Sequence, residues 1–369
     1  MPRILCIIPT LDRSGAEKQL TLLTTRLARD EFDPHVCALT RSGPFEQELR
    51  EARVPVTIIG KSGKLDPAAF WRLKRQIASL RPDLVHTWLF AANSYGRAAA
   101  LAAGVRRIVA GERCVDPWKR WHELAIDRWL ARRTDRIVVN SSGVRDFYVR
   151  HELPAEKFIV IPNGIVPTVT APGDPVVTRG ELLAELGLPQ NARLIGAVGR
   201  LWPQKRLKDL IWAADLLKVI RDDVHLLIIG EGPHRRRLER YSRQVRIEDK
   251  VHFLGHRSDV PRLMPHFHAL WLGSEYEGMP NVVMEAMMAG VPVVATDIPG
   301  NRDLVINGET GFLVPVGDRA AFARQTKKLL DDEELSRRLG EAGRRRIRDE
   351  FTVEKMVSRH EELYRVLLD

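Results

Sequence analysis

Cysteine is scarce: three in 369 residues, Cys6, Cys37 and Cys114, with no paired spacing. That excludes a disulfide scaffold and a structural zinc site, and the three are expected to be ordinary core residues. Long apolar runs are missing too. No stretch approaches the roughly 18 residues that cross a bilayer, and Ile4 to Ile8 is too short for the core of a secretory leader. The sequence therefore predicts a cytoplasmic protein. Neither half opens with the three-glycine fingerprint of dinucleotide-binding proteins, which counts against a nicotinamide or flavin dehydrogenase. No Asp-X-Asp pair is arranged for a divalent ion, so neither metal nor cofactor is expected. Zinc patterns and aromatic RNA-binding signatures are absent, which argues against nucleic acid as a partner.

What is present points to a folded chain of two domains. Apolar residues make up 44% and charged residues 29%, enough to build cores and too little bias for general disorder. At about 150 residues per domain, the length suggests two substantial ones. Charge is distributed unevenly. Up to Thr170 there are 27 basic and 18 acidic residues, and after it 31 and 30, so the net excess of ten lies almost wholly in the first half. An anionic partner for that half, or a solubilising arginine-rich surface, both fit.

Short apolar runs alternate with helical periodicity. Arg3 to Pro9, His35 to Thr40, Val54 to Ile59, Leu84 to Thr87, Arg107 to Ala110, Arg136 to Asn140 and Phe158 to Pro162 read as strands. Between the first two, Leu20, Leu23 and Leu27 share one helical face. The proline-rich run 166–178 reads as a linker. The alternation then restarts with strands at Leu194 to Val198, His225 to Ile229, Val251 to Leu254, Ala269 to Leu272 and Val293 to Ala295, and a helix over Leu207 to Ile220. The expectation is an α/β protein of two doubly wound, Rossmann-like domains, 1–170 and 171–349, facing across a cleft. Val353 to Leu368 has helical periodicity, and whether it crosses back to the first domain is left open. Ligands of open parallel sheets bind outside the carboxyl ends of the strands, so chemistry is sought in those loops.

Two constellations stand there. In Glu277-Gly-Met-Pro-Asn-Val-Val-Met-Glu285, Pro280 suits a first helical turn, and Asn281 onward reads as a helix ending at Gly290. Glu277 then sits in the loop and Glu285 about one turn inside the helix. Gly278 allows close backbone approach, and amides near Asn281 and Val282 form a positive terminus suited to phosphate. Beside a phosphate, carboxylates accept hydroxyl hydrogen bonds: Glu285 suits a ribose and Glu277 a sugar ring. The second constellation is Gly199-Arg200-Leu-Trp-Pro-Gln-Lys205, where a guanidinium fork and a compact ammonium can neutralise a diphosphate leaving group without a metal. Gly230-Glu231-Gly232-Pro233, Gly255-His256 and Pro162-Asn163-Gly164 supply tight turns. Gly15 opens a helix whose amides offer a phosphate site on the first domain.

The order Gly199-Arg200 with Lys205, Gly230-Glu231-Gly232-Pro233, Phe253-Leu254-Gly255, Glu277 to Glu285 and Gly308 to Asp318 resembles the family four retaining glycosyltransferases of GT-B fold. The resemblance runs almost continuously over Leu194 to Asp318. It implies that Arg200 and Lys205 hold the diphosphate of a nucleotide-sugar, that Glu285 binds ribose, and that Glu277 binds the transferred sugar. Backbone from Gly278 through Met279, Pro280, Asn281 and Val282 assists, while Gly232, Gly255 and His256 border the base. The partners implied are a nucleotide diphosphate-sugar donor and a glycan or lipid-linked acceptor, in polysaccharide or glycolipid synthesis.

The first domain matches only in outline. Where members often carry a histidine after the fifth strand, the run is Ala110-Gly111-Glu112-Arg113. The glycine pair after the first strand is Ser14-Gly15, and a Gly-Gly-X-X-Glu loop becomes Pro299-Gly-Asn-Arg-Asp303. His86 and Asn93 resemble a family segment at the substrate site, though His86 equally suits a hydrogen-bonded histidine at a strand end. Whether His86 or Arg113 has a catalytic role stays open. Trp118-Lys-Arg-Trp121, Trp129 and Arg132-Arg133 combine aromatics with positive charge, as at an anionic membrane surface on the inner face, or else pack on neighbouring helices. Two other functions remain: a nucleotide-sugar epimerase of the same fold, or a non-catalytic sugar-binding protein.

Overall fold

The computed structural model describes residues 1–166 and 178–369, and the chain forms two units. The first comprises Met1–Gly164 with Val353–Asp369, the second Ile165–Thr352. The expected linker lies mostly, and the boundary between 170 and 171 wholly, outside the described residues.

The first unit has seven strands: β1 (Arg3–Thr10), β2 (Asp33–Arg41), β3 (Val56–Ile58), β4 (Leu84–Trp88), β5 (Arg107–Glu112), β6 (Arg136–Val139) and β7 (Phe158–Val160). They lie in the order β3-β2-β1-β4-β5-β6-β7, every pair parallel. The second has β8 (Arg193–Val198), β9 (Val224–Ile229), β10 (Val251–Gly255), β11 (Ala269–Leu272), β12 (Val293–Thr296) and β13 (Gly311–Val314), in the order β10-β9-β8-β11-β12-β13. Both orders are doubly wound. Each reverses at one point, between β1 and β4 and between β8 and β11, where a crevice opens outside the strand ends.

The strand sequences explain the burial. Helices cover both faces of a parallel sheet, so β1 reads Arg-Ile-Leu-Cys-Ile-Ile without alternation, and Ile4 to Ile8 are at most 2% exposed. Helix starts follow their capping residues. Asp66 accepts from the Ala69 amide at 2.9 Å with Pro67 in the first turn, and Asp318 and Asp332 accept from Ala321 and Leu335 at 2.8 and 2.9 Å. The helix Val353–Leu368 is part of the first unit's core: Val353, Met356, Tyr364 and Leu367 pack with Leu20, Leu23, Leu27 and Phe32. Its Glu361 accepts from the Ala28 amide at 2.9 Å. Two of the three cysteines are core residues, with burial pushing Cys6 and Cys37 up to about 12; Cys114 is half-buried. Among the sequence-based bounds, the third strand narrows to Val56–Ile58 and the seventh to Phe158–Val160, the fifth lengthens to Glu112, and β13 forms within the Gly308 to Asp318 motif.

Five histidines are held neutral, chiefly by burial. His225 and His268 fall to about 4 and His360 to about 3; His86 lies well below its ordinary value and His252 below it. His225 Nδ1 lies 3.0 Å from His252 Nε2, so the two rings share one hydrogen bond. Each ring binds its proton near pH 6.5 when unfolded and resists it when folded. This stabilisation is therefore complete above about pH 6.5 and is lost as pH falls toward 4. Glu112, raised to about 7 by burial, works in the opposite sense over the same range. The melting temperature should fall between pH 7 and pH 5. His225→Gln should flatten that fall; an identical slope in the variant would contradict the assignment.

Candidate active site

In the second unit, β8 and β11 flank the reversal of strand order, and the loops that follow them carry both constellations. Main chain approaches main chain so closely here that only glycine fits. A Cβ on Gly230 would stand 2.0 Å from the Gly199 carbonyl oxygen, and one on Gly232 2.6 Å from that of Leu201. The Leu201 amide donates to Glu231 O at 2.9 Å and the Gly230 amide to Gly255 O at 2.7 Å. The loops after β8, β9 and β10 are thereby locked to one another. Gly232 and Gly255 therefore stand with the Arg200 loop. His256, next to Gly255, is exposed.

The short turn Pro203–Lys205 is joined to the loop after β11. Gln204 Nε2 donates to Tyr276 O at 2.6 Å, and the Glu275 amide to Gln204 O at 2.9 Å. Lys205 Nζ meets Glu277 Oε1 at 2.5 Å, with the two side chains 16% and 11% exposed. From behind, a Cβ on Gly300 would lie 1.9 Å from the Gly278 carbonyl oxygen. Thr296 Oγ1 donates to Ser274 O at 2.5 Å, and Asn301 Nδ2 to Thr296 O at 2.8 Å. Arg206, at φ 48°, pairs with Asp209 at 2.7 Å, and Asp209 also takes Arg319.

The loop runs into the helix Asn281–Met288. Pro280 stands at its N-cap rather than inside the first turn, and no side chain caps it. Gly278, Met279 and Pro280 are buried, while Asn281, Val282 and Glu285 are partly exposed. Arg200 is exposed, 5.7 Å from the Trp202 ring, and forms no ion pair among the described residues. A water-sized cavity of about 10 Å³ is bordered by Gly199, Arg200, Lys205 and Gly273. The structure thus brings together Arg200, Lys205, Glu277 and the helix start. Among the described residues, no group of three or more His, Cys, Asp or Glu could hold a metal ion.

The first unit treats its expected site residues differently. Gly15 opens the helix Gly15–Arg26, but Glu17, 5% exposed, lies at that terminus and accepts from Thr10 and Ser14 hydroxyls. A phosphate at Gly15 would meet this carboxylate. Asn93 is fully buried, with Oδ1 accepting from Thr87 at 2.7 Å and Nδ2 donating to Gly111 O at 3.0 Å, so its amide ties β4 to β5. His86 lies in mid-strand rather than at a strand end. It is fully buried, with Nδ1 2.7 Å from the Tyr364 hydroxyl.

The tryptophan segment divides. Trp118, Trp121 and Trp129 are 52%, 78% and 50% exposed, and of these Trp118 also packs edge-on against Phe90 of the helix Leu89–Ala102, with ring centroids 5.3 Å apart. Lys119 is no surface cation. Its fully buried Nζ lies 2.8 Å from Asp127, 2.7 Å from the Tyr148 hydroxyl and 3.5 Å from Glu112, and Arg97 also binds Asp127, at 3.0 Å. Beside this network, at the carboxyl ends of β4 and β5, a cavity of about 320 Å³ is lined by Phe90, Glu112, Cys114, Asp116 and Trp118.

Several positions that shape the site escaped the sequence reading: Gly300, Gln204 and, in the first unit, Gln19, which holds Gly164 through two 2.8 Å hydrogen bonds. The Pro299-Gly300 dipeptide was a visible signal. Nothing local marks the two glutamines.

Two family models span most of the chain: Glycosyltransferase Family 4 over residues 13–169 and Glycosyl transferases group 1 over 178–346. A Bacillus anthracis N-acetyl-alpha-D-glucosaminyl L-malate synthase is 34% identical over 185 residues, 50% of this chain and 48% of that protein, so the match spans about half its length. An Escherichia coli UDP-Gal:alpha-D-GlcNAc-diphosphoundecaprenol alpha-1,3-galactosyltransferase is 28% identical, with 92% of this chain and 90% of that protein covered. Among solved structures, Anabaena HepE in complex with UDP and glucose superposes with a TM-score of 0.88 at 23% identity over the whole of both chains. Sucrose-phosphate synthase from Thermosynechococcus elongatus gives 0.80 at 20%, covering 100% of this chain and 99% of that one.

Gly300→Ala should lower the melting temperature by the equivalent of about 1–3 kcal/mol, the usual cost of overpacking, because neither backbone can yield. Gly180→Ala, with open space around it, should be neutral or stabilising. Equal melting of both variants would contradict the packing argument. The strand order, the locked loops and the two family matches carry one conclusion: the chain belongs to the family four glycosyltransferases and has the GT-B fold.

Proposed function

We propose that the protein transfers a sugar from a nucleoside diphosphate donor to a hydroxyl of a glycan or lipid-linked acceptor, in polysaccharide or glycolipid synthesis. Transfer retains the anomeric configuration and needs no metal ion. The observation that carries this reading is the convergence of Arg200, Lys205, Glu277 and the start of the helix Asn281–Met288 at the switch point of the second sheet.

The diphosphate lies against Arg200 and Lys205, with the helix terminus adding its dipole. Arg200 has no carboxylate to leave among the described residues. Lys205 is held by Glu277, so an arriving diphosphate competes for the ammonium and frees the carboxylate for the hydroxyls of the transferred sugar. Glu285 accepts from the ribose hydroxyls, while Gly232, Gly255 and His256 border the base. As the bond from the anomeric carbon to the phosphate oxygen breaks, negative charge grows on that phosphate and the two cations stabilise it. The acceptor oxygen bonds to the anomeric carbon on the same face, and its proton passes to the departing phosphate oxygen. No enzymic nucleophile is required.

An anionic membrane surface is the further partner we propose, through the exposed Trp118, Trp121 and Trp129 with Arg132 and Arg133, as in an interfacial helix. Among the described residues no helix is long and apolar enough to cross a membrane, so association would be peripheral.

Lys205→Ala should keep its fold and lose turnover by about 10² to 10³, the scale for one preorganised donor to developing charge. Wild-type turnover in the purified variant would refute the assignment. NMR of the product anomer, whose configuration should match the donor's, tests retention. For the membrane, co-sedimentation with vesicles should be strong for anionic lipid and fall for Trp121→Ala; equal, negligible binding to neutral and anionic vesicles would remove that partner.

A further inference from the structure

Arg113 follows β5 in the first unit and is 7% exposed. Its guanidinium carbon lies 3.8 Å from the centroid of the Trp88 ring, and the Trp88 ring in turn stacks on His360, with an interplanar angle of 14°. One hydrogen bond holds the guanidinium: Nη1 donates to Asn163 Oδ1 at 3.5 Å. Nε and Nη2 are buried without a hydrogen-bond partner among the described residues, and so is the neighbouring Trp88 Nε1. The titratable groups around this stack are His86, His360 and Tyr364. Burial draws Arg113 down to about 9, opposed by its charge interaction with Tyr364. The guanidinium in turn adds to the burial that keeps His86 and His360 neutral.

No carboxylate answers this cation among the described residues, in contrast to the same unit's other buried cations. Arg97 and Lys119 share Asp127, and Lys119 adds Glu112 and Asp116. A buried charge without a counter-ion is costly, and native chains keep one where a ligand supplies the missing partner. The free atoms are informative in themselves. Nε and Nη2 form the edge of the guanidinium that offers two parallel N–H groups, the geometry that a carboxylate or phosphoryl group accepts. Neutral ligands do not require such a fork.

We propose that Arg113 binds an oxyanion of a substrate, a carboxylate or phosphoryl group, through its Nε and Nη2 edge beside Trp88. This extends the transferase reading, since it requires one of the two substrates to present an anion to the first unit. A nucleoside diphosphate and an acidic or phosphorylated acceptor are the two sources of that chemistry. Nε and Nη2 are both closed to solvent, so an arriving oxyanion engages them as the guanidinium swings off its single long tether to Asn163.

The test uses the full chain with Arg200→Ala and Lys205→Ala, which removes the other proposed phosphate site, and inorganic phosphate as the probe against sodium chloride of equal ionic strength. Phosphate should raise the melting temperature of this parent by about 2–4 °C once it exceeds its dissociation constant tenfold. Adding Arg113→Met should abolish that rise and, by removing an unpaired buried charge, should raise the ligand-free melting temperature. Arg113→Lys, which keeps charge and loses the fork, should fold and lose most of the phosphate response. An unchanged phosphate response in both variants, or none in the parent, overturns the proposal. In the otherwise wild-type chain, Arg113→Met weakening uridine diphosphate at least tenfold assigns the anion to the donor, and unchanged affinity assigns it to the acceptor. Because the phosphate readout is made without Arg200 and Lys205, its failure leaves the diphosphate assignment standing, and failure of that assignment leaves Arg113 standing.

Discussion

Two carbonyl oxygens, those of Gly199 and Gly278, point at the α-carbons of Gly230 and Gly300 with no room for a methyl group between. Everything in the second unit's site depends on these contacts. The first fixes the Arg200 loop against the loops after β9 and β10. The second fixes the loop of Glu277 against the chain that follows β12. Side chains on long loops lose conformational freedom when they meet a ligand, and backbone locked to backbone removes much of that cost in advance.

The charges in this setting are arranged for exchange. Lys205 and Glu277 are mostly buried and satisfy each other, so the site is stable without ligand. Arg200 is exposed and has no acidic partner among the described residues. On the proposed reading, one cation is available to attract an anion, and the second turns to it as the diphosphate competes with Glu277 for the ammonium. The first unit shows the opposite use of charge: Lys119 and Arg97 both close on Asp127 in the core, and Lys119 also meets Glu112 of β5, which ties the Trp118 segment and the helix Trp121–Ala131 to the sheet.

Much of this was legible in the sequence because it is local. Strands buried on both faces show as uninterrupted apolar runs, and the loop and helix from Glu277 to Glu285 announce themselves through a glycine, a proline and a carboxylate inside an apolar stretch. Burial and pairing were not legible. Trp118-Lys-Arg-Trp121 reads as a basic aromatic surface, yet Lys119 turns inward, because its partners Glu112 and Asp127 come from separate elements. Nothing local shows that Asn93 joins β4 to β5, or that Gly15 shares its helix terminus with the buried Glu17. Gly300 carries no side chain, so only its distance to Gly278 reveals what it does.

The central claim is that a nucleoside diphosphate is held by the cations and helix terminus of the second unit. A crystal structure with uridine or guanosine diphosphate bound tests it most directly. The account predicts phosphate oxygens within hydrogen-bonding distance of Arg200 and Lys205 and of the main chain near Asn281, with Glu277 no longer on Lys205. Phosphates lodged elsewhere, with the Lys205 to Glu277 pair intact, would contradict it.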